Sequence, residues 1–206
     1  MKDNVKNFFN RSCVNLDSTY VCALACPKCQ RQIYFRDKGK KVTGTHLSTG
    51  DFEKLVEYFG RIDFEGQYSD PVHHPKFIEF LKKCYEKSVE VEIHNASSTK
   101  SYKWYREAFQ ANPDAEWVFA IDGLPEESHK YRKNQDGEKL FNVMLDARNY
   151  LNYKPIWQYI VFNYNENHID IAKEIAKENE IDFLVIYSRK WQGENDPLLP
   201  SKKFRV

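Results

Sequence analysis

Strand-like and helix-like stretches alternate along the whole chain, and this alternation restricts the fold more than any other feature. "NLDSTYV" at 15–21 is β-branched and aromatic and reads as the first strand. "STGDFEKLVEYFG" places Ser48 and Asp51 in capping-box spacing, carries Phe52, Leu55, Val56 and Phe59 at helical intervals, and ends at Gly60. "RIDFEG" reads as a strand, and "HPKFIEFLKKCYEKS" as a helix with Phe77, Phe80, Leu81, Cys84 and Tyr85 on one face. "VEVEIHN" alternates as a strand, a helix follows over 100–111, and "EWVFAIDG" is the next strand. Leu140, Val143, Met144, Ala147 and Leu151 line a fourth helix, "PIWQYIVFNY" is a fifth strand, Ile169, Ala172, Ile175 and Ala176 mark another helix, and "DFLVIYS" closes the series. This order predicts an α/β fold with a parallel sheet wrapped by helices. The right-handed crossover rule curls such a sheet into a partial, open (β/α)6 barrel. At 206 residues the chain reads as a single domain, with a core over about 14–188 and a polar C-terminal tail over 189–206.

Charge and hydropathy narrow the partners. With 31 basic and 30 acidic residues the formal net charge is +1, so no global field draws the chain to nucleic acid. "TKSYKWYREAF" mixes cations with aromatics as a base-stacking surface would, but Trp104, Tyr105, Ala108 and Phe109 have the helical spacing of a core face. No apolar run reaches the roughly 20 residues of a membrane helix, and "MKDNVKNFFNRSC" has no apolar signal-peptide centre, so a cytoplasmic location away from membranes is expected.

Three of the five cysteines, Cys22, Cys26 and Cys29, fall in "CALACPKC" directly after the first predicted strand. In parallel β/α barrels chemistry collects in the loops at the carboxyl ends of strands. Structural zinc needs four protein ligands, and Cys13 and His46 could complete a tetrahedron, but no second knuckle spacing appears. An iron–sulfur cluster uses thiolates at its corners, usually four. Three would leave one iron with an exchangeable position.

CxxxCxxC after the first strand of a partial, TIM-like β/α barrel resembles the signature of the radical S-adenosylmethionine (radical SAM) enzymes. The resemblance implies that Cys22, Cys26 and Cys29 hold a [4Fe-4S] cluster whose open iron is chelated by S-adenosylmethionine. It further implies reductive cleavage to a 5′-deoxyadenosyl radical for hydrogen abstraction, with an electron donor such as flavodoxin or ferredoxin as partner. "FEGQYSDPVHHPKF" is similar to the family's glycine-rich motif ending in an acidic residue and proline (GNxGDP-like). By position Asp70 would accept from the ammonium of the cofactor's methionine, with backbone of Gly66, Gln67, Tyr68 and Ser69 lining its path. Ser69 stands where glycine is usual. "IHNASST" resembles the polar end of the family's third strand, which brings Asn95 and Ser97 to the cofactor. "FAIDGLPEESHKYRKN" is similar to an Ile-Asp-Gly followed by a Tyr-Arg pair, placing Asp122 toward the site and Arg132 within reach of the cofactor carboxylate. On the fifth strand, Gln158 or Asn163 would line the cavity.

Without the resemblance, Asp70 reads as a turn residue before Pro71, Asp122 as a cap at Gly123, and Arg132 as a surface cation. His73 and His74 read as solvated loop histidines or a helix cap. The family often has an aromatic or apolar residue before the last motif cysteine; here it is Lys28, for which Tyr34 or Phe35 could substitute. Within these 206 residues only Cys13 and Cys84 remain, so the resemblance is expected to cover the catalytic core without the cysteine-rich auxiliary-cluster part. By analogy, the wide lateral opening of a truncated barrel suits a bulky substrate, and a peptide or protein is expected, with a nucleoside or small metabolite as the alternative. A noncatalytic zinc or iron–sulfur module is the alternative from another class.

Overall fold

The computed structural model describes residues 12–189 and 191–205. The N-terminal stretch in which no signal-peptide centre is read lies outside them. Six strands form one parallel sheet in the order β1 to β6: β1 Cys13–Asn15, β2 Arg61–Phe64, β3 Glu90–Asn95, β4 Glu116–Ala120, β5 Ile156–Ile160 and β6 Asp182–Ile186. Strands β1 and β6 are its two edges, so the barrel is open. The crossovers carry helices α1 Gln30–Lys38, α2 Thr49–Tyr58, α3 Phe77–Glu86, α4 Tyr102–Ala111, α5 Gly137–Ala147 and α6 Ile169–Glu178. Among the described residues no helix is long and apolar enough to cross a membrane.

The helix ends are set by short-range chemistry. Ser48 Oγ accepts the amide of Asp51 at 3.1 Å and starts α2, and Ser101 does the same for Trp104 at 3.1 Å in α4. The strands follow the two-residue period. Val91 and Ile93 of β3 enter the core against the helices, together with the stacked rings of Phe52 and Phe80. Glu92 and His94 point to the other, concave face, where Arg61 bonds Asp63 at 2.8 Å and Glu92 at 2.5 Å. A closed barrel fills its interior with apolar layers; an open one leaves this face to polar side chains. Tyr105, Ala108 and Phe109 are buried and Trp104 packs against them, so the α4 aromatics are a core face as their spacing predicts.

Two elements depart from the sequence reading. The first strand spans only Cys13–Asn15 rather than 15–21, because pairing with β2 ends at Asn15 opposite Asp63. Beyond it Asp17 turns to bind the loop after β2. Helix α1 has no counterpart in the periodicity, because none of its residues is buried. It starts from Cys29 as N-cap and stops at Gly39, whose φ of 64° is the left-handed conformation that favours glycine.

Candidate functional site

At the carboxyl ends of the strands lies a cavity of about 230 Å³. Its wall includes Cys22, Cys26 and Cys29 from the loop after β1, Gly66, Ser69 and Asp70 from the loop after β2, and Asn95 from the end of β3. Arg132 and Gln158 face it from the β4 and β5 side. The three thiols therefore share one cavity, but their sulfurs are not gathered within 4.8 Å of one another. Among the described residues the only His, Cys, Asp or Glu trio so gathered is Glu65, Glu92 and His94. Cys13 sits on β1 with its thiol on Asp63, 2.9 Å away, and the His46 ring bonds Thr19 at 2.8 Å. Neither lines the cavity that holds the other three.

Asp70 is the joint between two loops. One carboxylate oxygen accepts the amides of Ala96 at 2.9 Å and Ser97 at 2.8 Å, and the other accepts Val72 at 3.3 Å, so the side chain fixes the end of β3 to its own turn. Burial raises its pKa to about 6, against the opposing pull of those amides and of Arg132. Asn95 supports the same corner by donating to Tyr105 Oη at 3.0 Å and accepting the Ser97 amide at 3.0 Å. Ser97 is buried and acts through its amide on Asp70 rather than through a place in the cavity wall.

The turn over 66–69 requires its glycine. Gly66 has φ of 59°, and a Cβ there would lie 2.4 Å from the Ser69 carbonyl oxygen. Ser69, at the position where glycine is usual, uses its hydroxyl: Oγ donates to Asp17 at 2.6 Å. Asp17 also receives the Gln67 amide at 3.1 Å and the Tyr68 amide at 3.3 Å, so Gln67 and Tyr68 lie on the exposed outer side of the turn rather than in the cavity wall.

Arg132 is no surface cation. It is largely buried in the cavity wall and paired with the fully buried Asp122, which also accepts the Ile160 amide at 2.8 Å. Burial alone would lower the guanidinium's pKa, and the charge of Asp122 outweighs it, leaving the group raised and firmly cationic. Asp122 itself stands behind Arg132 and outside the cavity wall. The thiols are pushed the other way. Burial and the Asp70 charge push Cys22 up to about 12, and burial raises Cys26 against the pull of Arg132. A cationic metal group bound there would favour the thiolates.

Other readings are corrected. His74 is buried rather than solvated: its ring lies against Phe80, bonds the Leu47 carbonyl at 3.0 Å and accepts the Lys76 amide at 3.0 Å just before α3, in line with the capping alternative, while His73 is half-buried and burial pushes it down to about 4. Asn163 is exposed and donates to the Pro197 carbonyl at 2.8 Å, leaving Gln158 as the cavity residue of the pair. Lys28 is ion-paired to Asp196 and, like Tyr34, is not part of this cavity's wall, while Phe35, exposed on α1, lines an adjoining cavity together with Cys22 and Leu24. The sequence reading missed Asp17, hidden in a segment taken for strand. It also missed Gln135, whose amide nitrogen donates to the Ala96 carbonyl at 2.6 Å and the Ala120 carbonyl at 2.9 Å, tying the β3 and β4 ends together. No local pattern marks either residue. Glu65 and His94 of the cavity wall were visible only as the polar phase of alternating strands.

No family model matches the chain, and no curated protein sequence matches it. Solved structures do. SuiB of Streptococcus suis bound to S-adenosylmethionine is similar with a TM-score of 0.70 at 14% identity, over 95% of this chain and 45% of that one. SuiB bound to its precursor peptide SuiA gives 0.67 at 13%, over 86% and 39%. A radical SAM methyltransferase from Sphaerobacter thermophilus gives 0.67 at 10%, over 94% and 60%. The chain thus has the fold of the radical SAM core and spans less than half the length of SuiB.

Proposed function

We propose that this chain is the core of a radical SAM enzyme in which Cys22, Cys26 and Cys29 hold a [4Fe-4S] cluster and the opposite wall binds S-adenosylmethionine. The observation that carries the reading is the meeting in one cavity of three thiols from one loop, a buried carboxylate, Asp70, and a buried guanidinium, Arg132. Structural zinc needs four protein ligands, and neither Cys13 nor His46 lines the cavity to complete a set with the three thiols, which supports a cluster over structural zinc. When bound, cluster and S-adenosylmethionine together supply reductive cleavage to a 5′-deoxyadenosyl radical that takes a hydrogen atom from the substrate.

The chain's own residues bind and orient. Asp70 offers its remaining acceptor capacity to the ammonium of the cofactor's methionine, and Arg132, held by Asp122, offers a planar fork to its carboxylate. Gly66 lets backbone approach the cofactor closely, Asn95 and Ser97 fix the β3 end beside it, and the turn through Gln67, Tyr68 and Ser69 is held from behind by Asp17. The substrate is a peptide or protein: SuiB, which shares the fold, is bound to a precursor peptide, and the open edge between β1 and β6 leaves the concave face accessible to an extended chain. An acidic electron carrier such as flavodoxin or ferredoxin supplies the electron, in the cytoplasm. Anaerobic reconstitution with iron and sulfide tests the metal assignment: about four irons and four sulfides per chain are expected, and a colourless protein with one zinc would refute it.

A further inference from the structure

The segment after β6, read from sequence as a polar tail, folds back on the cysteine loop. Asp196 pairs with Lys28, the residue immediately before Cys29, and the two side chains are only 2% and 13% exposed. The Lys28 ammonium also sits 5.0 Å above the ring of Trp191. Trp191 in turn meets Phe162 edge-on at 6.2 Å, and with Leu198 it joins the small apolar cluster that contains Leu24, Cys26 and the flanks of Cys22 and Cys29. The Asp196 carboxylate is itself fixed by the amides of Gln192 at 2.9 Å and Leu198 at 3.0 Å. The same segment is anchored on its far side. Asn163, in the loop after β5, donates its amide to the Leu198 carbonyl at 3.3 Å and its side chain to Pro197 at 2.8 Å, and Glu166 accepts the Ser201 amide at 2.6 Å.

These contacts join the loop after β1 to the loop after β5, across the end of a sheet whose edge strands do not pair with each other. A buried ion pair stabilises a net position only where its geometry is fixed and its remaining valences are met, and here both ends meet that condition. We infer that residues 191–198 form a clasp over the cysteine loop, and that Asp196, acting through Lys28, is a positioning residue that holds Cys26 and Cys29 in place and limits their access to solvent. A lysine at this motif position is then explained by its partner in the tail rather than by a cofactor contact. The functional consequence rests on the cluster reading above; the clasp itself does not.

The test uses two arms on the full chain. In the metal-free, reduced protein, alkylation of each cysteine by iodoacetamide is followed by mass spectrometry in the wild type, Asp196→Asn, Lys28→Met and Lys28→Arg. Exposed Cys13 and buried Cys84 serve as internal references. Loss of the pair from either end should raise labelling at Cys26 and Cys29 by about tenfold, as local opening of a loop does. Cys84 should stay slow, and Lys28→Arg should remain near the wild type. Unchanged rates in both Asp196→Asn and Lys28→Met would overturn the clasp, and so would an equal rise at Cys84, which would assign the pair to the fold as a whole. In the second arm the reconstituted proteins are exposed to air, and the variants should lose cluster absorbance several-fold faster. Should the wild type take up no iron, the cluster reading fails, while the alkylation arm still decides the clasp.

Discussion

Arg132 Nε donates to Asp122 Oδ2 at 2.6 Å, with the guanidinium side chain 14% exposed and the carboxylate fully buried. Taking either partner away leaves a charge in the interior without its counterion, the costly half of a buried ion pair. Asp122→Asn should therefore lower unfolding free energy by about 3–5 kcal/mol. The double change Asp122→Asn with Arg132→Met should cost less, because no charge is then stranded and the Ile160 amide keeps an acceptor. Urea denaturation of the two variants checks this, and a double variant less stable than Asp122→Asn would contradict the pairing argument.

Gly66 predicts a backbone-limited turn. With φ of 59° and the Ser69 carbonyl oxygen 2.4 Å from any added Cβ, Gly66→Ala must move main chain rather than a side chain. A stability loss on the order of 1–3 kcal/mol is expected from the strained conformation, together with weaker S-adenosylmethionine binding. A denaturant midpoint and calorimetric affinity both equal to the wild type's would show that the turn is not needed.

Asp70 gives a pH dependence with a definite sign. Burial raises its pKa to about 6, so near that pH about half the molecules carry a neutral carboxyl. A cationic ammonium favours the charged form, so binding at pH 6 should release a fraction of a proton. Affinity should fall as the pH drops below 6, approaching about tenfold per unit. Asp70→Asn keeps an acceptor oxygen for the loop amides and should flatten the profile between pH 5 and 7. Isothermal titration in buffers of different ionisation enthalpy measures both effects; parallel slopes for the two proteins would remove Asp70 from the ammonium site.

The cysteines divide into two groups. Cys22→Ser, Cys26→Ser and Cys29→Ser should each abolish stoichiometric iron, while Cys13→Ala retains it, since Cys13 lies on β1 bonded to Asp63. Cys84→Ala should retain iron and cost about 1 kcal/mol, the ordinary price of trimming a small buried side chain, because Cys84 is fully buried on α3. Iron analysis after anaerobic reconstitution separates the groups, and iron loss in Cys13→Ala would restore a four-thiolate site.

The parts of the fold that were legible in sequence are those where burial writes a period. The α3 face of Phe77, Phe80, Leu81 and Cys84 and the alternation in β3 could be read directly, because each buries one side against the same core. Helix α1 left no such mark, since it buries nothing, and the true first strand is three residues long because pairing rather than composition ends it. In the site, the cysteines stood out by their spacing after a strand, whereas Asp70 and Arg132 could be singled out only through the family resemblance. Their supports did not stand out: Asp17 and Gln135 act across 50 and 39 residues, and Asp196 reaches Lys28 across 168, distances over which no local pattern connects the partners.

Formation of 5′-deoxyadenosine tests the central claim most directly. The anaerobically reconstituted protein, given S-adenosylmethionine and a low-potential reductant on the order of −400 mV or below, should release 5′-deoxyadenosine and methionine even without substrate, slowly, and Cys26→Ser should release none. An intact, reduced cluster that binds S-adenosylmethionine yet never yields 5′-deoxyadenosine would contradict the assignment of this chain as a radical SAM enzyme.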